Sequence, residues 1–533
     1  MDKILILDFG SQYTHLILKT LRKNSVYCYI IDKLPVDCNE WKHVKGLILS
    51  GGPDCVPDTL EINLKRIPCP ILGICYGAQY IAKYYGAKIH KINSEFGKTK
   101  INIDPNVDGA SMLTNNIERM QLEVWMSHSN SIVHNLDSSV QINAFALSAV
   151  NNNIAAFKIS NKQIYGLLFH PEVFHTEYGG VIIDNFVSIC KCDKLWSPGN
   201  ITANIIAKIK EQVKKERVIM AISGGVDSTV AAVLIHKAIG KRLQCVFIDN
   251  GLLRHNEFTD VLQIYKKMSL NVIGIDSSKT FIERLSGIEN PEEKRKIIGK
   301  AFIDVFANYA TKQKTNKKQK TKQKTKQKTK QKTKQKQIKF LGQGTIYSDV
   351  IESSSSSKMS RKIKSHHNVG GLPKELGFSL IEPLRELFKD EVRLIGKSLN
   401  INPAIINRHP FPGPGLAIRI IGDITYEKIN ILQQADNIFI SMLKEEKLYE
   451  KIWQAGVILL NTKTVGVMGD ERTYDYAVAL RAVCSNEGMT AKIYPFDIKF
   501  LEDVSNRIIN NVDGINRVVY DISSKPPATI EWE

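Results

Sequence analysis

The chain has 533 residues, is 43% hydrophobic and carries a formal net charge of +19; that is material for two to four folded domains, without a run of about 18 apolar residues that would cross a membrane. Its nine cysteines include no CxxC pair, the nearest two being Cys190 and Cys192, which argues against a disulfide framework or a structural zinc and suits a reducing cytoplasm. Residues 311–337 hold 13 lysines and no acid, so 19 − 13 leaves +6 for everything else; a folded basic face for specific nucleic-acid binding is not expected.

The opening MDKILILDFG enters a strand pattern directly, with no cleavable signal peptide expected. Lys3–Asp8 reads as a strand, Tyr13–Lys23 as a helix, and Val26–Ile31, Gly46–Leu49 and Pro70–Ile74 as further strands, with a helix over Ala78–Tyr84. This is an α/β parallel-sheet pattern, whose functional residues belong at the carboxyl ends of the strands. Gly73-Ile74-Cys75-Tyr76-Gly77 has the spacing of a nucleophile elbow with cysteine as nucleophile. The elbow holds the sulfur at the mouth of a helix, where the positive helix end favours thiolate. Leu167–Glu172, LLFHPE, supplies a base: residues two apart in an extended segment share a side, so Glu172 can orient His170. The alternative for Cys75 alone is a buried, inert thiol.

ILDFGSQYT, ILSGGP, GICYGAQ and FHPE together resemble a class I glutamine amidotransferase domain over residues 1–197. The resemblance implies a flavodoxin-like fold in which Cys75 attacks a glutamine amide and releases ammonia. It implies an oxyanion hole of backbone N–H groups near Gly51, Gly52 and Tyr76, and a role for Gln79 in holding glutamine. His128, in WMSHSN, lies near the site in that family, which usually has Gly and Asp after Ser-His, where this chain has Ser129 and Asn130.

Cys192–Asn200 reads as a linker and Ile201–Lys215 as a helix. Val218–Ile222 is an apolar strand feeding the loop Ser223-Gly224-Gly225-Val226-Asp227-Ser228, with a helix expected over Thr229–Ile239. Glycines admit a phosphate to the backbone, the helix start offers unpaired N–H groups, and Ser223, Ser228 and Thr229 are candidate hydroxyl donors. The loop lacks the lysine of a Walker A sequence and resembles the SGGxDS pyrophosphate loop of N-type ATP pyrophosphatases. Asp249, ending the strand Leu243–Ile248, is placed either to meet a ribose or to form the Asp-Asn-Gly turn. Asn271–Ile275 reads as a strand and Pro291–Asn308 as a helix. The KQKT repeat from Thr311 to Gln337 has no apolar residue and is expected to be a disordered insertion. Ile338–Leu341 resumes as a strand. A serine run and SHHNVGGLP (365–373) follow, read as a polar lid; His366 and His367 lack partner ligands at metal spacing. Arg408–Gly415, RHPFPGPG, is a proline-stiffened boundary or binding loop.

KRKIIG, LGQGTIYSDVIES, SHHNVGGLPKE, LFKDEVR, RHPFPGPGLAIR, VGVMGD and SKPPATIEWE, following the two motifs above in one chain, closely resemble the glutamine-hydrolysing GMP synthetase family nearly end to end. That resemblance implies three domains: an amidotransferase (1–197), a doubly wound ATP pyrophosphatase (198–408) and a small α+β dimerisation domain (409–533). It implies the substrates glutamine, ATP and xanthosine monophosphate (XMP), a homodimer, and magnesium with ATP near Asp227, without an organic cofactor. It carries XMP contacts onto Arg295, Gln454, Lys525, Ile530 and Glu531. Lys389 is a further candidate for phosphate. A tRNA-thiolating enzyme with the same loop would need sulfur-carrying cysteines, and Cys245 and Cys484 lack that spacing. A non-catalytic glutamine sensor would have no use for an intact Cys75, His170, Glu172 and SGGVDS.

Overall fold

The computed structural model describes residues 2–91, 94–133, 142–322, 338–354, 377–485, 488 and 490–533. They divide into two compact units, Met1–Asn200 and Ile201–Glu533.

The first unit contains β1 (Lys3–Leu7), β2 (Cys28–Ile31), β3 (Val44–Leu49), β4 (Ile71–Ile74), β5 (Lys88–His90), β6 (Glu95–Ile103), β7 (Gln121–His128), β8 (Ser131–Val133), β9 (Ile142–Ser148), β10 (Ile154–Ile159) and β11 (Ile164–Leu167). A nine-stranded sheet runs in the order β2-β1-β3-β4-β11-β10-β9-β6-β7, parallel from β2 through β11 and antiparallel beyond. The parallel half has the flavodoxin-type order. Its strands are near-continuous runs of Ile, Leu and Val because both faces are covered: Ile4, Leu5 and Ile6 are fully buried, as are Leu47, Ile48 and Leu49. β4 ends at Ile74 and the helix Tyr76–Tyr84 starts at once, so Cys75 occupies the turn between them.

In the second unit β12 (Arg217–Ile222), β13 (Leu243–Asp249), β14 (Val272–Asp276), β15 (Ile338–Gly342) and β16 (Ser379–Ile381) form an all-parallel sheet in the order β14-β13-β12-β15-β16. The order reverses between β12 and β15, and ligands bind such sheets outside the carboxyl ends at that switch point. There β12 delivers Ser223, and β15 delivers Gln343 and Gly344. A second sheet is built on a long hairpin of β17 (Gln454–Met468) and β18 (Glu471–Cys484), with β19 (Lys492–Ile493) antiparallel and β20 (Ile515–Tyr520) parallel to β18. Helices Tyr426–Glu445 and Ile498–Asn511 pack on it. One apolar core runs from Ile219 and Val246 of the first sheet to Leu432, Phe439, Val478 and Ile508.

Two elements differ from expectation. The helix after the pyrophosphate-type loop begins at Val226 rather than Thr229, which brings Asp227 and Ser228 into its first turn. The helix from Pro291 runs to Lys322, so the first part of the lysine-rich tract is helical where the sequence reading has it disordered. Its upstream turns are anchored by the buried Ile298, Ala301, Phe306 and Ala310. Once nucleated, a helix propagates readily through good formers such as Lys and Gln, and this outweighs the lack of an apolar face on which the expectation rested. The rest of the tract and SHHNVGGLP lie outside the described residues.

Candidate active sites

In the first unit the elbow is set by backbone crowding. Cys75 sits at φ +51°, a region few non-glycine residues adopt. A Cβ on Gly73 would lie 2.5 Å from the Gly77 carbonyl, and one on Gly77 only 2.3 Å from the Leu49 carbonyl oxygen. Both glycines are therefore required for β4 and the helix to meet at so sharp an angle. The Cys75 thiol lies 3.6 Å from the Ser127 carbonyl oxygen. His170 follows β11, and its Nδ1 contacts Glu172 Oε1 at 2.7 Å, with both side chains buried. Burial works against a charged ring, but the Glu172 carboxylate and the Cys75 side chain outweigh it and raise the imidazole pKa to about 10. Cys75, His170 and Glu172 thus form one connected constellation.

The flanking residues close around it. A Cβ on Gly51 would lie 3.3 Å from His170 Cε1, and one on Gly52 would lie 3.0 Å from the Phe9 carbonyl oxygen. The Cys75 N–H donates to Leu167 O and the Gly77 N–H to Ser50 O. The N–H groups of Gly52 and Tyr76 have no backbone acceptor among the described residues. Gln79 is buried and donates from Nε2 to Asn130 O at 2.9 Å, which ties the helix to the Ser129–Asn130 segment. His128 pairs across the strands with Glu95, 3.6 Å away, and burial pushes its pKa down.

In the second unit the loop after β12 folds around its own hydroxyls. Ser228 Oγ accepts from Ser223 N at 3.2 Å and lies 3.2 Å from Ser223 Oγ, and Gly225 N donates to Ser223 Oγ at 3.4 Å. Gly224 takes φ +75°. Val226 packs into the core, leaving its backbone at the helix start. Thr229 differs from the other two hydroxyls of the loop: it is fully buried, with its hydroxyl 2.8 Å from both Gly225 O and Tyr265 OH. It stiffens the loop from below. Asp227 Oδ2 is paired with the Lys389 ammonium, while Oδ1 is buried without a hydrogen-bond partner. Asp249 accepts from Gly251 N at 2.8 Å, the turn-forming contact, and burial raises its pKa. Gly344 packs on the helix start, where a Cβ would lie 3.0 Å from Ser228 N.

Three of the five expected XMP contacts converge. Gln454, Ile530 and Glu531 line a narrow cleft with a cavity volume of only about 10 Å³, together with Arg419, Arg481 and Gly456. Glu531 is gripped by Arg419 through a fork, Nε–Oε2 at 3.0 Å and Nη2–Oε1 at 2.8 Å, and accepts from Gln454 Nε2 at 2.6 Å. Arg481 donates to the carbonyls of Ser523, Thr529 and Ile530 and so holds the last segment of the chain in place. Lys525 and Arg295 do not line this cleft. The Lys525 ammonium donates to Gly488 O at 2.8 Å, and Arg295 is engaged by Glu292 and the Glu533 carbonyl. Arg419, Arg481 and Arg408, which contact these segments, were not among the residues that sequence reasoning named; only Arg408 lay in a stretch singled out as a binding loop.

Comparisons with known proteins follow this division. Residues 5–190 match the family model for glutamine amidotransferase class-I, residues 200–350 that for NAD synthase, and residues 441–532 that for the GMP synthase C terminal domain. The chain is 50% identical to a glutamine-hydrolysing GMP synthase of Cytophaga hutchinsonii, 48% to one of Christiangramia forsetii and 47% to one of Porphyromonas gingivalis, in each case over 100% of both chains. With a connected Cys-His-Glu site, a pyrophosphate-type loop and full-length identity of this order, the chain belongs to the glutamine-hydrolysing GMP synthase family.

Proposed function

We propose that this ATP-dependent C–N ligase makes GMP through two half-reactions at the sites described above. At the first, Cys75 Sγ attacks the side-chain amide carbon of glutamine. His170, oriented by Glu172, manages the proton and passes it to the departing ammonia. The resulting γ-glutamyl thioester is hydrolysed to glutamate. The N–H groups of Gly52 and Tyr76 receive the oxyanion, Gly51 keeps the approach to His170 open, and Gln79 borders the glutamine side chain. The observation that carries this reading is the 2.7 Å contact between His170 and Glu172, buried beside a cysteine held on a strained elbow.

At the second site the 2-oxo oxygen of XMP attacks the α-phosphorus of ATP, and pyrophosphate leaves into the loop Ser223–Ser228. Ammonia then displaces AMP at carbon 2 to give GMP. Ser223, Ser228 and the N–H groups of Gly224, Gly225 and Val226 cradle the pyrophosphate, and Lys389 adds a positive charge at its edge. Asp249 meets the ATP ribose. The narrow cleft edged by Gln454, Ile530 and Glu531 opens to receive XMP, with Arg295 and Lys525 joining its phosphate once released from Glu292, the Glu533 carbonyl and the Gly488 carbonyl.

The free Oδ1 of Asp227 fits a magnesium ligand, and among the described residues no cluster of three or more His, Cys, Asp or Glu could hold a metal alone. That agrees with an ion bound mainly by phosphate oxygens and water. When bound, magnesium neutralises charge on the departing pyrophosphate.

The division 1–197, 198–408 and 409–533 assigns these tasks to three domains. The last forms a homodimer through the outer part of the β17–β18 hairpin, where Val465, Val467 and Tyr474 are exposed. All nine cysteines are free, in keeping with the cytoplasm, and no helix among the described residues is long and apolar enough to cross a membrane. The test is GMP formation from ATP, magnesium and XMP with either glutamine or ammonium as nitrogen source. No GMP from either source would refute the assignment.

A further inference from the structure

The segment Arg408–Phe411 lies between the pyrophosphate loop and the XMP cleft and touches both. Arg408 Nη1 donates to Gly224 O at 3.2 Å, and its Nη2 lies 2.5 Å from Glu257 Oε1. A Cβ on Gly224 would lie 3.0 Å from Arg408 Nη1, so the loop at φ +75° is shaped to admit the guanidinium. In a trans peptide the carbonyl and the following N–H point in opposite directions. A guanidinium fixed on Gly224 O therefore aims the Gly225 N–H the other way, toward Ser223 Oγ, where the two loop hydroxyls meet. Glu257 keeps Arg408 from swinging away, because its second oxygen is fastened to Arg254 N at 3.0 Å. Two residues on, Pro410 O accepts from Gln454 Nε2 at 3.1 Å, and that same nitrogen holds Glu531. Between these two contacts, His409 stacks on Tyr449 with ring centroids 3.7 Å apart and accepts from Ala455 N at Nδ1.

We infer that Arg408 is a positioning residue for adenylyl transfer: it sets the Gly224–Gly225 peptide so that the Gly225 N–H faces the pyrophosphate, and its segment ties that setting to the XMP cleft. Its donors do not contact the phosphates directly, since the loop carbonyl and Glu257 engage them. The inference rests on the assignment of Ser223–Ser228 as the pyrophosphate loop.

The test compares Arg408→Ala, Arg408→Lys and Ser228→Ala in ammonium-dependent GMP synthesis, with pyrophosphate release and glutaminase activity followed alongside. Arg408→Ala is expected to raise the KM for ATP at least tenfold and to lower the rate of pyrophosphate release. The KM for XMP should rise less than threefold, and glutaminase activity should be unchanged. Millimolar guanidinium should restore part of the loss, a response a merely structural defect would not give. Arg408→Lys keeps the charge without the fork and should show the same ATP-selective rise in weaker form. If Arg408→Ala does not fold, Arg408→Lys decides alone. A KM for ATP within twofold of wild type in the folded Arg408 variants, beside a large rise in Ser228→Ala, overturns the role of Arg408 only. An unchanged KM for ATP in Ser228→Ala overturns the loop assignment itself.

Discussion

Gly456 makes the XMP cleft testable with one methyl group. A Cβ there would lie 2.1 Å from Arg419 Nη1 and 2.6 Å from its Cζ. To reach an ordinary contact of 3.4 Å the guanidinium must retreat by 3.4 − 2.1 = 1.3 Å or more. Arg419 has little room: it is fully buried, 5.3 Å above the Phe411 ring and 3.6 Å from Asp436. The retreat stretches the fork to Glu531, now at 2.8 and 3.0 Å, past hydrogen-bond range. Charge-assisted hydrogen bonds contribute about 1.5–3 kcal/mol, which corresponds to roughly 10- to 150-fold in an equilibrium constant. Gly456→Ala is therefore expected to raise the KM for XMP by tens of fold in the ammonium-dependent assay, with the KM for ATP changed only a few fold. Glutaminase activity should stay at the wild-type level, because Cys75, His170 and Glu172 belong to the other compact unit. Thermal unfolding of the variant is measured in parallel. A folded Gly456→Ala enzyme with a wild-type KM for XMP would refute both the packing argument and the assignment of the cleft.

Cys75→Ala should abolish glutamine-dependent synthesis and leave ammonium-dependent synthesis intact; loss of both in a folded protein would contradict the two-site scheme. Glu172→Gln should lower glutaminase turnover by about 10²- to 10⁴-fold, through loss of the group that orients His170. It also has a pH signature. The folded pKa of His170, about 10, lies above the unfolded value of about 6.5, so its contribution to stability is complete below pH 6.5 and disappears as pH rises through 10. Melting temperatures measured from pH 6.5 to 10 should fall less steeply for Glu172→Gln than for wild type, and parallel curves would contradict the charge pairing. Asp227→Asn should weaken magnesium-dependent pyrophosphate release by 10- to 1,000-fold while glutaminase activity persists, the range expected for one charged contact of about 1.4–4 kcal/mol. Replacing Gln313–Gln337 by a short Gly/Ser link should preserve GMP synthesis, since the tract joins β15 at its amino end, opposite the ends from which the Ser223 and Gly344 loops leave; an inactive, folded variant would place the tract in the mechanism.

The elements that carry the sites were legible in the sequence because their causes are local. The elbow announces itself through Gly73 and Gly77, each needed within a few residues of Cys75. The loop does so through a strand, two glycines and a helix start in direct succession. The cleft was not legible from residue pattern. Arg419 and Glu531 are 112 positions apart, and nothing near either one names the other; Gln454 and Glu531 are 77 apart. Resemblance supplied Gln454 and Glu531, but the arginines that organise them emerge only when β17 and the chain's last segment are packed together. The burial of Thr229 was hidden for a related reason. A hydroxyl in a phosphate-loop pattern reads the same in sequence whether it faces solvent or, as here, Tyr265 on the helix Glu257–Lys267. The helical part of the lysine tract was missed because composition records charge but not the anchored turns upstream.

The lysine tract enters the second unit just ahead of Ile338, the first residue of β15, whose neighbour in the sheet is Arg217 at the start of β12. Both strands run the same way, so the insertion joins the sheet at its amino edge. The loops bearing Ser223 and Gly344 emerge at the carboxyl edge. At about 3.3 Å per residue, the six residues of β12 separate the two edges by roughly 20 Å. A parallel sheet in this way sorts its connections into two territories. Chain added on the amino side can lengthen, shorten or change composition while the catalytic edge keeps its geometry, so a tract of this kind can accumulate in a working enzyme without selection on the chemistry to remove it.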